Sequence, residues 1–320
     1  MKDSRPGDGP APAVADRPAG RGRARVIWNS SAGQKRPLAP TVTEEQLAEL
    51  LSRAGLEFEL TETRSSAEAA ELAAAAVRER RALVVAAGGD GTAATVSSEL
   101  VGSDTALGIL PLGSVMNIAR ALGIPRELDA AAEVLARGAL RAVDVGEADG
   151  RLFYEGVSVG MNASIFSAAV DFTEGDYGSL RRLFWLALRY RPARMDLVLD
   201  GQTVRTRALM VVVSNGPYTG AGMTVSPQAR LDDGLFDVTV FRHFSKLELA
   251  RHLLAISFGR RRYTPHVRTY RAARVRVESR RSLPVRADGV DLGTTPFECH
   301  VRPASLRVIV PGTDPTAAAG

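Results

Sequence analysis

An apolar run, Leu83-Val-Val-Ala-Ala87, stops abruptly at Gly88-Gly-Asp-Gly-Thr92. The run reads as a buried strand over 82–87, and the pattern after it predicts a helix beginning near Thr92. Gly88, Gly89 and Gly91 surround a single carboxylate, Asp90. Glycine reaches backbone angles closed to other residues and has no side chain to hold a ligand away. Successive N–H groups can therefore converge on one anion, and the helix adds the positive end of its dipole. Such a bend suits the phosphates of a nucleotide, with Asp90 placed to act on a metal or an acceptor hydroxyl. The plainer alternative is a tight strand-to-helix turn without a ligand.

The segments before this bend alternate in type. Short strands are expected at Arg25–Trp28 and Leu56–Leu60, and helices at Thr43–Ala54 and Ser66–Arg80, the second capped by Ser65 or Ser66. Leu107–Leu110 is a further strand. A βαβα order predicts a mainly parallel sheet with helices on both faces and ligands at the carboxyl ends of its strands. From about Leu140 strand patterns dominate: Arg141–Glu147, Leu152–Val159, Met195–Leu199, Val204–Ser214, Phe236–Phe241, Val275–Glu278, Pro284–Ala287 and Leu306–Val310. Asp149-Gly150 and Asp200-Gly201 are hairpin signals. Two helices, Ser179–Arg189 and Lys246–Phe258, interrupt them. The expected fold is an α/β N-terminal domain with a mainly parallel sheet, over 24–138, plus a β-rich antiparallel second domain over 139–312. The last strand is free to pack back on the first domain. Tails at 1–23 and 313–320 are read as disordered.

The chain has 320 residues, 45% of them hydrophobic and 24% charged, enough for two cored domains. No apolar run approaches a spanning helix and no secretory signal is recognised, so the expected location is cytoplasmic. One cysteine and four histidines give no zinc framework. The net charge of +5 gathers in arginine clusters at Arg181-Arg182, Arg189-Arg191, Arg260-Arg262 and Arg280-Arg281. These suit phosphates or anionic headgroups, or are solvated decoration. Nucleic acid is not expected as a partner, for want of a recognised binding motif. The 179–189 helix is either core-facing or interfacial, meeting a membrane peripherally.

Further small-residue turns follow the other strands: Asn29-Ser30-Ser31-Ala32-Gly33, Thr61-Glu62-Thr63 and Leu110-Pro111-Leu112-Gly113-Ser114. Together with Gly88–Thr92 and with Gly108–Pro125, Asn215–Val238, Asp288-Gly289 and Thr295-Pro296, they occur in the order seen in one family. The chain resembles the diacylglycerol kinase catalytic-domain family, which includes bacterial lipid kinases and sphingosine and ceramide kinases, over about residues 24–311. The resemblance implies a fold like that of NAD kinase and diacylglycerol kinase, and transfer of the γ-phosphoryl group of ATP to a lipid hydroxyl at a membrane surface. It places ATP against Asn29, Ser30, Ser31, Gly33, Thr63, Gly88, Gly89, Asp90, Gly91, Thr92, Gly113 and Ser114, and a structural Mg²⁺ at Arg230, Asp233 and Leu235. Asp232-Asp233-Gly234 is otherwise a simple turn. A homodimer is left open.

Several acidic residues of the family pattern are replaced. Its Asn-Glu is Ala94-Thr95, its Asn-Asp is Met116-Asn117, its Gly-x-Asp-Ala is Gly160-Met161-Asn162-Ala163, and its Asp-Gly-Glu is Asp288-Gly289-Val290. Four carboxylates are thus absent from the expected reaction centre, among them the family's proposed base. Asp90 is the candidate to take the catalytic role; Asp291 is a weaker substitute, since strand alternation would turn it away. The alternatives are a catalytically degenerate nucleotide or lipid binder on the same fold, or a kinase of a soluble acceptor such as NAD.

Overall fold

The computed structural model describes residues 23–30, 42–160, 191–220, 222–242 and 267–312. The expected helices Ser179–Arg189 and Lys246–Phe258, both tails, Ser31, Gly33 and Asn162 lie outside the described residues.

The first half is a parallel sheet in the order β2-β1-β3-β4, with β1 Ala24–Asn29, β2 Phe58–Thr63, β3 Leu83–Gly88 and β4 Ala106–Pro111. Every residue of β4 is buried, as is all of β3 after Leu83, which explains their unbroken apolar sequence. Helix α1 (Glu44–Arg53) starts at a capping box: Gln46 N donates to Thr43 Oγ1 at 3.3 Å and Thr43 N donates to Gln46 Oε1 at 3.0 Å. Helix α2 (Ser66–Arg78) starts where Glu68 N donates to Ser65 Oγ at 3.1 Å. Leu47, Leu50 and Leu51 of the first and Ala69, Ala73 and Ala76 of the second are buried. The order reverses at β1, between β2 on one side and β3 on the other. Open α/β sheets bind ligands outside the carboxyl ends of the strands at such a point.

Helix α3 (Asp90–Leu100) begins two residues earlier than the sequence predicts, with Gly89 as its N-cap. Two helices that the sequence reading did not assign follow: α4 (Asn117–Ala121) and α5 (Leu128–Arg137). Met116, which introduces α4, is buried and left-handed at φ 58°, a conformation that costs a side-chain-bearing residue about 1–2 kcal/mol.

Strands β5 (Ala139–Ala148) and β6 (Arg151–Phe153) form a hairpin across Asp149-Gly150. The second half is a face-to-face sandwich. One sheet is antiparallel, in the order β14-β13-β10-β7-β16-β17. Its strands are β7 Gly156–Gly160, β10 Met210–Ser214, β13 Phe236–Phe241, β14 Val267–Ala272, β16 Pro284–Ala287 and β17 Val290–Thr294. The other layer contains β8 (Ala193–Leu199), β9 (Gln202–Ala208), β15 (Arg274–Ser279) and the 14-residue β18 (Phe297–Val310). Val157, Val213 and Val238 share one buried cluster with Leu197, Val275 and Phe297, and Phe153 stacks on Phe236 at 5.5 Å. Strand β18 leaves the sandwich and runs parallel to β4, pairing Val308 with Leu107, so one sheet continues through both halves.

Two expected strands are each divided. Val204–Ser214 switches sheets at Leu209: Ala208 pairs with Ala193, whereas Met210 pairs with Phe241. Leu152–Val159 breaks at Tyr154-Glu155, between β6 and β7. An apolar run carries no mark of which neighbour it will pair with, so neither break was visible. The short hairpin partners β11 (Tyr218–Thr219) and β12 (Met223–Thr224) were also not assigned.

The tightest approach in the first half is between two strand-end bends. A Cβ on Gly113 would lie 2.6 Å from Gly89 Cα and 2.8 Å from Met116 Sδ. Gly113→Ala is therefore expected to cost about 1–3 kcal/mol through forced backbone displacement, measured as a lower denaturant midpoint with an unchanged slope.

Candidate functional site

The carboxyl ends of β1, β3 and β4 lie side by side, with α4 and the β11–β12 hairpin beyond them, and the space between is the candidate cleft. Gly88 closes β3 and packs directly on Thr92, where a Cβ would come within 2.5 Å of Thr92 Oγ1. Asn29, the last residue of β1, donates from Nδ2 to that same hydroxyl at 3.2 Å. The N-cap of α3 is Gly89, with no side-chain cap, so the first amides of this helix present a dipole end without a competing side chain. Leu112 N donates to Gly88 O at 3.0 Å, binding the Gly113-Ser114 turn to the glycine bend. The Arg126 guanidinium donates to the carbonyls of Gly113 (3.3 Å) and Ser114 (2.9 Å), a brace that no sequence motif signalled.

The expected nucleotide residues thus divide. Asn29, Gly88, Gly89, Asp90, Gly91, Thr92 and Gly113 are gathered at adjoining strand ends, and Ser114 is exposed beside them. Thr63 is different: it lies within β2, is buried, and donates its hydroxyl to Trp28 O at 3.2 Å, so its side chain serves the sheet.

Asp90 reaches across to α4, where Oδ1 accepts Ile118 N at 3.1 Å. Helix α4 in turn docks on the β11–β12 hairpin. Asn117 Nδ2 donates to Gly220 O at 2.7 Å, Arg120 donates to Gly222 O at 3.1 Å, and its guanidinium lies 3.9 Å from the centre of the Tyr218 ring. The Asn215–Val238 segment singled out in the sequence therefore supplies the second wall of the cleft. Asn215, at its start, is buried and donates to the carbonyls of Asp144 and Tyr154.

The carboxylate count at this centre differs from the sequence reading. The Asp288 side chain, in the β16–β17 turn, accepts three amides: Tyr154 N at 2.7 Å, Glu155 N at 3.0 Å and Gly156 N at 3.0 Å. That clamp makes the break between β6 and β7 and turns Glu155 into the cleft, where its Oε2 accepts Gly220 N at 2.9 Å. Glu155 had not been singled out; the only trace in the sequence is an acidic residue inside an apolar strand pattern. Burial, then the nearby Asp288 carboxylate, push its pKa well above the ordinary glutamate range, against the opposing pull of the Asn117 side chain. Burial likewise raises Asp288, opposed by its three amide donors. Val290, where the resemblance places a glutamate, is 41% exposed. Asp291 is exposed and accepts Gly293 N at 2.7 Å, a local contact within β17.

The residues expected to hold a structural metal lie in the turn beside Asp144, whose Oδ2 accepts Gly234 N at 2.7 Å. Arg230 directs its side chain to Asp232 at 3.0 Å, and Asp232 also pairs with Arg141. Asp233 accepts Leu235 N at 3.1 Å on Oδ1 and the Arg271 guanidinium on Oδ2. The single carboxylate of that set thus already carries a cationic partner, a poor fit to a structural divalent ion. Mg²⁺ or a chelator is expected to move the melting temperature of the wild type by less than about 1 °C. Arg271→Ala, which uncovers Asp233, is expected to become Mg²⁺-responsive in the same thermal scan.

Comparison with known proteins agrees with this architecture. The model of the diacylglycerol kinase catalytic domain matches residues 23–148, and that of the YegS C-terminal NAD kinase beta sandwich-like domain matches residues 155–310. A diacylglycerol kinase from Mycobacterium tuberculosis (strain CDC 1551 / Oshkosh) is 30% identical over 76% of this chain and 82% of its own length. One from Bacillus subtilis (strain 168) is 26% identical over 90% and 96%. In fold, the crystal structure of a diacylglycerol kinase from Bacillus anthracis str. Sterne superposes with a TM-score of 0.70 at 19% identity, covering 92% of this chain and 97% of that one. The class is thus a two-part lipid kinase fold, an α/β half joined to a β-sandwich. The chain belongs to the diacylglycerol kinase catalytic-domain family.

The raised pKa of Glu155 carries a stability consequence. A carboxyl that holds its proton more tightly folded than unfolded favours the fold at low pH, and that contribution is lost as pH rises through the raised value. Glu155→Gln removes the cost of charging the buried group. Its melting temperature is expected to match the wild type near pH 5 and to exceed it increasingly towards pH 9, by on the order of 1–3 kcal/mol in stability, checked by calorimetry across that range.

Proposed function

We propose that this protein is an ATP-dependent lipid kinase, transferring the γ-phosphoryl group to a lipid hydroxyl at a membrane surface. The observation that carries this reading is the convergence, at one cleft, of the uncapped α3 N-terminus, the Gly88–Gly91 bend and Asp90 with the hairpin wall of the second half. Phosphoryl transfer is governed by positioning and by neutralisation of the phosphates, which backbone amides at a helix start supply. In this reading Gly88, Gly89, Gly91, Thr92, Gly113 and Ser114 line the phosphate path for ATP and its Mg²⁺. Asn29 fixes Thr92, and Asp90 is the carboxylate that meets the acceptor hydroxyl. The two halves, 24–138 and 139–312, act as nucleotide and acceptor walls.

Contact with an anionic surface has a physical basis in the second half. Arg194, Arg205, Arg207, Arg242 and Arg280 line one open groove beside β8 and β9. Cations grouped on one face are drawn to acidic headgroups by about 1 kcal/mol each near the surface. Peripheral contact through this groove is the proposed mode; among the described residues no helix is long and apolar enough to cross a membrane.

A second reading, a member of the family that binds without turnover, draws support from Val290, an exposed apolar residue where the resemblance places a base. One assay separates the two. The full chain is incubated with labelled ATP and mixed micelles of diacylglycerol, a sphingoid base, ceramide or phosphatidylglycerol, with NAD as the soluble control. The kinase reading expects label in one lipid and a loss of about 10²-fold or more in Asp90→Asn. Saturable ATP binding without transfer to any of them supports the second reading.

A further inference from the structure

We propose that Glu155 is the proton acceptor for the attacking lipid hydroxyl, replacing the carboxylates that the family pattern would place at positions 117 and 290. This rests on the kinase reading and assigns its missing base.

Glu155 sits between three elements that come from distant parts of the chain: the N-terminus of α4, the β11–β12 hairpin and the β16–β17 turn. Its backbone cannot drift, because Asp288 accepts its N–H at 3.0 Å, and its own carbonyl accepts Asn215 N at 3.0 Å and Gly216 N at 3.2 Å. Its side chain is anchored at one oxygen by Gly220 N at 2.9 Å, and Asn117 holds the carbonyl of that same glycine at 2.7 Å. Asn117 is the position at which the resemblance expects an aspartate. The acid lost at 117 is therefore supplied from the opposite wall of the same contact, by a residue that shares Gly220 with Asn117.

The surroundings suit proton transfer near neutral pH. The groups acting electrostatically on the carboxyl are Asp288 from the β16–β17 turn and Asp90 from α3, both of its own sign. The nearest cation of the hairpin contact, Arg120, is engaged with Gly222 O and the Tyr218 ring. Burial and like charge make a glutamate more basic, which is how enzymes bring a carboxylate into the range of general-base catalysis. Asp288 cannot fill this role as readily, since its oxygens accept three amides. Val290 has no group that can accept a proton.

The lipid hydroxyl gives its proton to the Glu155 carboxylate while its oxygen forms a bond to the γ-phosphorus. The bond from that phosphorus to the β,γ-bridging oxygen breaks, and its electron pair leaves with ADP. Glu155 then returns the proton to solvent. Asp90, across the cleft, orients the hydroxyl.

The obvious confounder is that Glu155 only holds Gly220. Glutamine resolves this, because its amide oxygen can still accept Gly220 N but cannot take a proton. With the full chain, ATP and the accepting lipid from the panel above, Glu155→Gln is expected to lower kcat by about 10²–10⁴-fold. KM for ATP should stay within about threefold, with nucleotide affinity by calorimetry likewise retained. Wild-type kcat/KM is expected to rise with pH through the neutral range, and the residual activity of Glu155→Gln to lack that rise. Glu155→Asp should retain more activity than the glutamine variant. A glutamine variant with kcat within threefold of wild type, or one that keeps the same pH rise, overturns the assignment while leaving the kinase reading intact. A wild type that transfers phosphate to no lipid overturns both.

Discussion

One buried carboxylate, that of Asp288, accepts three consecutive amides from Tyr154, Glu155 and Gly156, and the candidate site depends on that arrangement. Burying a charge is costly unless it is hydrogen-bonded, and leaving three amides without acceptors would be costly as well. Each side of the contact therefore requires the other. The clamp interrupts what would otherwise be one strand, starts β7 in register with β10 and β16, and sets Glu155 at the cleft instead of on a sheet face. It also recruits a third Asp-Gly turn, Asp288-Gly289, at φ 46° and 79°, the double positive-φ geometry of a tight hairpin.

The same economy joins the two halves. Strand β18 is shared between the sandwich and the parallel sheet, so the halves cannot part without breaking a continuous strand. The cleft itself is closed by polar contacts from short segments: Asp90 to Ile118, Asn117 to Gly220, Arg120 to Gly222, Glu155 to Gly220. Gly220 is held at both its carbonyl and its amide, one from each half of the chain. The result is a rigid frame closed by a light polar seam.

Much of the first half was legible because its signals are local. The Ser65 cap, the buried β3 and β4, and the glycine bend are written in residues next to each other, and the Asp149-Gly150 and Asp200-Gly201 hairpins formed as read. The errors fall where the outcome depends on distant partners. The chain changes sheets at Leu209 only because Phe241 and Ala193 lie where they do. The second strand, expected to end at Leu60, runs on to Thr63 because it pairs with β1 as far as Asn29. The loss of acidic residues at 117 and 290 was plain in the sequence; the acid that stands beside Asn117 was not, since Glu155 is 38 residues away and its neighbour is chosen by the hairpin and the turn.

The sequence alone determined what short-range physics can: alternating strand and helix, an apolar strand ending in a side-chain-poor bend, a β-rich second half, and membership of a family through ordered motifs. Tertiary structure decided which side chains face each other across the cleft. Charge, burial and hydrogen-bond partners belong to that assembled geometry, not to any one segment. That is why Glu155, ordinary in the sequence, becomes a more basic carboxylate only once the fold has buried it beside Asp288, against the opposing pull of Asn117 and Gly220.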